Sequence, residues 1–428
     1  FYDFQPIFVV GGGTAGCVMA RKLSDSGEHS VLVLEAGILP DPGLDVPALA
    51  SSFLSNSNYT RTYYSVPQQN ADLENDNDIQ GRENAGRTET YNGVFPATDQ
   101  HGYDGPINVS LPKYVPLLNE WLSAGQFLGY PISDPNGPQQ ISFCPSEYSK
   151  RRGRRVSSYA GYLKPVLGQR KNLKVILKAE ARRIIFNGNQ AIGVQFRSTT
   201  DGFPTDNVVF ARNEIIKSAG AVETPALLMK SGIGPTQVLN AASVLDPIRP
   251  VKCLPVGQNL QESAAFIEER DLNLQTFRYL NEVGDGPYAA YSGFGGQAFI
   301  STTAQGNQTK VRDIQLFHFV APCVPYCIQI DQIFKQLLGK WQPLHLFSSL
   351  MFSGMEITMK IFENTPQFKK LGARFPPNQF PDCERLQFRS RRYWECHAKQ
   401  SATSFMHASG TCHMRSGEQD PSAVVITD

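Results

Sequence analysis

The chain carries no surplus of either charge: 40 Lys and Arg stand against 39 Asp and Glu, a net of +1 over 428 residues. That balance removes the global field by which proteins gather nucleic acid or settle on anionic membranes. Long hydrophobic runs are missing too. The longest nearly uncharged stretch, 314–330, contains His318, Pro322 and Pro325, and is too short and too broken to span a bilayer. No basic, apolar and small-residue pattern precedes the first strand-like segment, so no signal peptide is expected within this chain. The eight cysteines (17, 144, 253, 323, 327, 383, 396 and 412) lack zinc-ribbon and thioredoxin spacings. Cys323-x-x-x-Cys327 reads as two separate thiols, with a metal site or a disulfide as the alternative, and no metal centre is expected. With 41% hydrophobic and 18% charged residues, disorder, collagen, coiled coil and a small disulfide scaffold are excluded. A globular protein of two or three domains remains, at roughly 150 residues per domain.

Three triplets fit the N-glycosylation sequon: Asn58-Tyr59-Thr60, Asn108-Val109-Ser110 and Asn307-Gln308-Thr309. They favour a secreted glycoprotein.

The most informative segment runs from Pro6 to Leu34. Ile7-Phe8-Val9-Val10 is a short apolar run, as a strand buried on both faces requires. It leads into Gly11-Gly12-Gly13-Thr14-Ala15-Gly16, which satisfies G-x-G-x-x-G. Gly11 permits a tight turn, Gly13 lets the backbone approach a pyrophosphate, and Gly16 lets the following helix pack closely on the strand. Cys17 to Ser24 reads as that helix, its positive end toward the phosphates. Ser30 to Leu34 reads as a second buried strand, ending in Glu35, 19 residues beyond Gly16. A carboxylate there accepts hydrogen bonds from a ribose diol and repels a 2′-phosphate, which disfavours NADP. Glu35-Ala36-Gly37 is followed by a long polar stretch rather than a third βα repeat, which favours FAD over NAD.

Beyond Pro40 the chain is rich in Asn, Asp, Gly, Pro and Ser as far as Gly137. Gly102 to Pro106 marks a turn before the strand-like Ile107-Asn108-Val109, and Leu117 to Phe127 has the spacing of an amphipathic helix. The basic cluster 150–155 reads as a solvated loop, with a phosphate contact as the alternative. Leu173 to Leu177, Ile184 to Phe186, Ala191 to Phe196, Val208 to Phe210 and Glu214 to Ile216 predict a β-meander attached to the nucleotide domain. Small residues at Ser218 to Ala221 would let backbone lie close to a ligand. Thr224-Pro225 reads as an N-cap with Pro at N1, opening a short helix that stops at Ser231-Gly232. His407, between Met406 and small residues, is a candidate general base; a packed or surface histidine is the other reading, and His413 has no better claim.

Four of these features together resemble the glucose–methanol–choline (GMC) flavoprotein oxidoreductases, most closely the arthropod glucose-dehydrogenase-like branch: Val9 to Gly16 with Leu34 to Gly37; Gly220 to Gly234; Leu254 to Gln261; and His407 to Met414. The resemblance implies an α/β fold of two lobes. A Rossmann-like FAD-binding domain would comprise 1–70, 150–262 and 402–428. A substrate domain with an antiparallel sheet would comprise 95–149 and 263–401. It implies FAD as cofactor, a small-molecule alcohol or sugar as substrate, and His407 as the base that removes the hydroxyl proton while hydride passes to the flavin. Gly11, Gly12, Gly13, Thr14, Ala15 and Gly16 would surround the pyrophosphate. Glu35 and Ala36 would lie at the ribose, Ala181 at the adenine, and Gly220 close to the cofactor. The chain departs from the family in three places. No Gly-Gly-Ser-rich loop occurs between Gln68 and Phe95, Glu262-Ser263 replaces the usual Asp-His, and the family continues past the position of Asp428. The chain therefore reads as lacking segments of the full protein. The alternative function is a catalytically inactive GMC-fold protein with a structural, storage or ligand-binding role.

Overall fold

A computed structural model describes residues 5–49, 53, 56, 58–63, 76–77, 89–96, 101–113, 115–139, 141–199, 202–242, 249–258, 260, 294–301, 314–319, 333–334, 344–374, 379, 383–401, 408–416 and 424–427. Strand β1 (Gln5–Val10) leads through the glycine turn into helix α1 (Thr14–Leu23) and then to β2 (Val31–Leu34). The strands pair in parallel, Val9 opposite Val33. Phe8, Val10, Leu32 and Leu34 enter one core, while Val9, Val31 and Val33 enter a second core with Cys17 and Ala20 of α1. Burial on both faces explains why these strands are continuous apolar runs rather than alternating ones.

Strand β3 (Glu89–Asn92) pairs in parallel with β4 (Ile107–Ser110). Helix α2 (Leu118–Phe127) and strand β5 (Ser142–Pro145) follow, then a hairpin of β6 (Tyr148–Arg151) and β7 (Arg154–Arg155). Arg152 and Gly153 both take positive φ, 50° and 73°, at its tip. The basic cluster is thus a hairpin, rather than the loop that its charge alone implied. The sheet order is β3-β4-β6-β7, and Ile107 docks it onto the core that holds Cys17 and Val31. A helical turn at Tyr159–Leu163 packs against the same core through Tyr162 and Leu163.

Strands β8 (Leu173–Ile176), β9 (Ala179–Asn187), β10 (Gln190–Ser198) and β11 (Thr205–Lys217) complete a six-stranded sheet of order β8-β2-β1-β11-β10-β9. The meander holds for β9 to β11 but not for β8, which pairs in parallel with β2. Lys178, at φ 52°, redirects the chain between β8 and β9, and the Asn172 side chain ties the start of β8 to the carbonyls of Ser24 and His29. Strand β11 belongs to both halves: its first part runs antiparallel to β10, its last part parallel to β1.

Helix α3 spans Gly220–Lys230. It begins five residues before the proline that the sequence placed at its first turn, so Pro225 lies inside the helix. Helix α4 (Thr236–Ala242) packs on it. A second antiparallel sheet has the order β14-β13-β12-β5, with β12 (Phe294–Ile300), β13 (Ile314–Phe319) and β14 (Ile333–Phe334). Ala298, Ile300, Ile314 and Leu316 pack one of its faces against Trp121, Ile361, Phe362 and Phe368. Helices α5 (Leu344–Met359), α6 (Pro366–Lys369) and α7 (Arg391–Ser401) belong to this lobe, where a disulfide joins Cys383 to Cys396. At the C-terminal side β15 (Met414–Ser416) pairs with β16 (Val425–Thr427), and Cys412 and Val424 return to the first lobe's core. The architecture is α/β in two lobes, as expected. Among the described residues no helix is long and apolar enough to cross a membrane.

Candidate functional site

The carboxyl ends of β1, β2 and β11 meet at one edge of the parallel sheet, the place where open α/β sheets bind ligands. Gly11 turns the chain there at φ 97°, its amide donating to Leu34 O at 2.9 Å. The Ser218 hydroxyl, at the end of β11, is within hydrogen-bond reach of the Gly11 and Val10 carbonyls at 2.8 and 3.0 Å. A Cβ on Gly16 would collide with the Gly11 carbonyl, whereas a Cβ on Gly13 would meet nothing within 4 Å. The first is a packing glycine and the second faces open space. Gly13 is also the N-cap of α1, and no side chain caps this helix end. The amides of its first turn, Gly13 to Gly16, have no partner within the helix. Arg21 and Lys22 sit in the last turn, complementing the other end of the helix dipole.

Glu35 closes this edge. Its Oε2 accepts the Gly12 amide and its Oε1 the Gly37 amide, both at 2.6 Å. Of the six residues of the glycine segment, Gly11 gives its amide to Leu34 O and Gly12 to Glu35 Oε2; Gly13 and Ala15 are exposed, Thr14 is half-buried and Gly16 is buried. Each carboxylate oxygen keeps a second acceptor site. The Glu35 carbonyl accepts from Ala179 N at 2.8 Å and Gly37 O from Lys178 N at 3.0 Å, which brings the start of β9 to the same edge. Ala181 is half-buried beside a register shift between Ala181 and Arg183, a local irregularity of the kind common next to binding sites. Ala36 and Gly220 are exposed, Gly220 at φ 87° as the first residue of α3.

His407 lies outside the described residues, as do Asn259, Gln261, Asn307, Cys323, Cys327 and most of 68–95. The rest of the His407 segment is anchored. Ala408 and Thr411 are buried, and Thr411 O accepts the Gly257 amide at 2.9 Å. His413 is half-buried, its carbonyl accepting from Val424 N. Asn58 is exposed, while Asn108 sits inside β4.

Sequence reasoning missed a buried charge cluster. His101 Nδ1 lies 2.6 Å from Glu89 and Nε2 2.7 Å from Asp134, with all three side chains nearly inaccessible. The ring stacks on Tyr91 at 3.7 Å. Burial alone pulls the imidazole pKa down, but the hydrogen bonds and charges of Glu89 and Asp134 outweigh it and the net shift is upward. Tyr91 in turn donates to Glu147, whose carboxyl is raised chiefly by burial. The two carboxylate partners of His101 are separated from it by 12 and 33 residues in sequence, so no local spacing announces them.

His318 was also unremarked as a side chain. It is fully buried, stacked on Trp121 at 5.2 Å, and neither ring nitrogen has a hydrogen-bond partner among the described residues. Burial pushes its pKa down to about 3, so it is a neutral core residue at ordinary pH. The opposite face of this sheet carries two amides and two phenyl rings: Gln315 donates to Gln297 at 2.8 Å, and Phe317 and Phe299 stand cross-strand from these two glutamines in the order Gln297–Phe317 and Phe299–Gln315. No group of three metal-ligating side chains occurs among the described residues.

The donor set fits a dinucleotide: an uncapped helix start with a bare glycine before it, and a carboxylate fixed 23 residues from Gly12 with acceptor capacity to spare. Comparison with known proteins agrees. Residues 52–265 match the GMC oxidoreductase family. The chain is 26% identical to a glucose dehydrogenase (FAD, quinone) of Drosophila pseudoobscura pseudoobscura, covering 99% of this chain and 80% of that protein. It is 30% identical to an oxygen-dependent choline dehydrogenase of Brucella suis biovar 1, covering 74% of this chain and 65% of that one. Pyridoxine 4-oxidase from Mesorbium loti shares the fold with a TM-score of 0.75 at 22% identity, over 99% of this chain and 91% of that one. Sequence motifs, sheet order and these similarities converge: the chain belongs to the GMC oxidoreductase family.

Proposed function

We propose that the chain is an FAD-dependent oxidoreductase that oxidises the CH–OH group of an alcohol or sugar, with His407 as general base. The observation that carries this reading is the open glycine turn, where α1 begins without a cap and Gly13 faces empty space. In this reading Gly13, Thr14, Ala15 and Gly16 offer amides to the diphosphate, while Gly11 and Gly12 shape the turn. Glu35 accepts the ribose hydroxyls, and Ala36, Ala181 and Gly220 border the cofactor. When bound, FAD accepts the hydride that leaves the carbinol carbon. The protein's part is to take the hydroxyl proton on His407, imidazole being the side chain most often used as a general base near neutral pH, and to hold the substrate.

The Gln297–Gln315 face of the second sheet supports a neutral hydroxylated substrate. Planar amides hydrogen-bond hydroxyl groups, and the described residues of that face carry no carboxylate to hold a cationic ligand. The domain division at 1–70, 150–262 and 402–428 against 95–149 and 263–401 is retained. Within it, α2 and β5 pack with the second lobe, whereas β4 packs through Ile107 on the first lobe's core and β6 crosses the 149/150 boundary. Secretion is likewise part of the proposal, supported by the Cys383–Cys396 disulfide and the exposed sequon Asn58.

A flavin absorbance spectrum of the purified protein tests the cofactor. A colourless protein that FAD fails to reconstitute would sink the proposal and leave the inactive GMC-fold alternative. With flavin present, His407→Ala is expected to lower turnover by on the order of 10²–10⁴ while FAD stays bound.

A further inference from the structure

Pro225 is the sixth residue of α3. A proline has no N–H to give, so the carbonyl four residues earlier, that of Ala221, loses its helical partner. The missing donor comes from the far end of the chain. Thr411 Oγ1 donates to Ala221 O at 2.6 Å, across 190 residues of sequence. Thr411 is 7% exposed, so little water is available as a substitute. Its own carbonyl accepts the Gly257 amide, and a Cβ added at Gly257 would come within van der Waals range of Pro225 and Met229 of α3. Two segments, those of Thr411 and Gly257, thus come to α3, which begins two residues after Ser218, the residue buttressing the Gly11 turn.

We infer that Pro225 and Thr411 are a matched latch: the proline opens an acceptor in the helix and the threonine hydroxyl closes on it. What the latch holds is the segment that carries His407, four residues before Thr411. Thr411 follows His407 by four residues, a span of no more than about 14 Å of chain. Thr411 is therefore a positioning residue for the base, an assignment that rests on the reading of His407 given above. Had residue 225 carried an N–H, the helix would have given the Ala221 carbonyl a donor without the hydroxyl.

The test is a double-substitution cycle on the full chain, read by melting temperature, flavin content and steady-state kinetics. Thr411→Val should lower the melting temperature and lower kcat about 10- to 100-fold, as misplacing a catalytic group does, with FAD retained. Thr411→Ser should restore both. In Pro225→Ala with Thr411→Val the alanine N–H fills the Ala221 acceptor. The melting temperature should then return to that of Pro225→Ala alone, whereas kcat stays low because the segment remains unlatched. Additive losses of stability, or wild-type kcat and pH profile in Thr411→Val, would overturn the latch. If Thr411→Val alone does not fold, recovery of folding in the double variant supports the latch and its failure there overturns it. Should no form of the protein hold flavin, the cofactor reading fails by itself, and the melting-temperature cycle still decides the latch.

Discussion

The Gly12 amide donates to the Glu35 carboxylate at 2.6 Å, joining the turn after β1 to the end of β2. With Gly37 on its other oxygen, Glu35 is held in one orientation before a ligand arrives, and preorganisation of this kind lowers the cost of binding. Glu35→Gln keeps the shape but loses the charge-assisted contacts, worth about 1.5–3 kcal/mol each. FAD affinity, followed by flavin fluorescence titration, should fall about 10- to 100-fold. An unchanged affinity would remove Glu35 from the ribose site.

Gly13 and Gly16 make a contrasting pair. Gly16→Ala drives a methyl into the Gly11 carbonyl and should destabilise the lobe or prevent folding. Gly13→Ala meets no atom within 4 Å, and its φ of −72° suits any residue. That variant should melt within a few degrees of wild type yet retain much less flavin. Normal flavin content in Gly13→Ala would show that the diphosphate does not approach there.

His101 makes stability depend on pH. Its pKa is raised in the folded state, so its contribution is fully present below the unfolded value of about 6.5 and is lost as pH rises through the folded value. The melting-temperature gap between wild type and His101→Gln should therefore be widest near pH 6 and narrow toward pH 9. Glu89, Asp134, Tyr91 and Glu147 are the titratable groups facing the ring, and Glu147→Gln serves as control. A gap that is constant with pH would show that the ring acts by packing alone.

The nucleotide turn was legible because its parts are local: strand, glycines, helix, strand and acid fall within 35 residues, and each is required by backbone sterics. Helix α3 was misread for the opposite reason. Pro225 looked like a first-turn residue, and the hydroxyl that lets it sit in the interior is 186 positions away, at Thr411. Strand β8 joined the parallel sheet because of Asn172 and Lys178, whose roles emerge only once Ser24 and His29 are in place. The Glu89–His101–Asp134 cluster left no periodic trace at all.

Strand β11 has one mechanical consequence. Because a single chain segment is laddered to β10 along its first half and to β1 along its second, the meander cannot peel away without tearing the strand beside the glycine turn. Opening should be all-or-none across this lobe, with amides of Val208 and Ile216 exchanging at the same slow rate. A dinucleotide seated at one end would then slow exchange at the other.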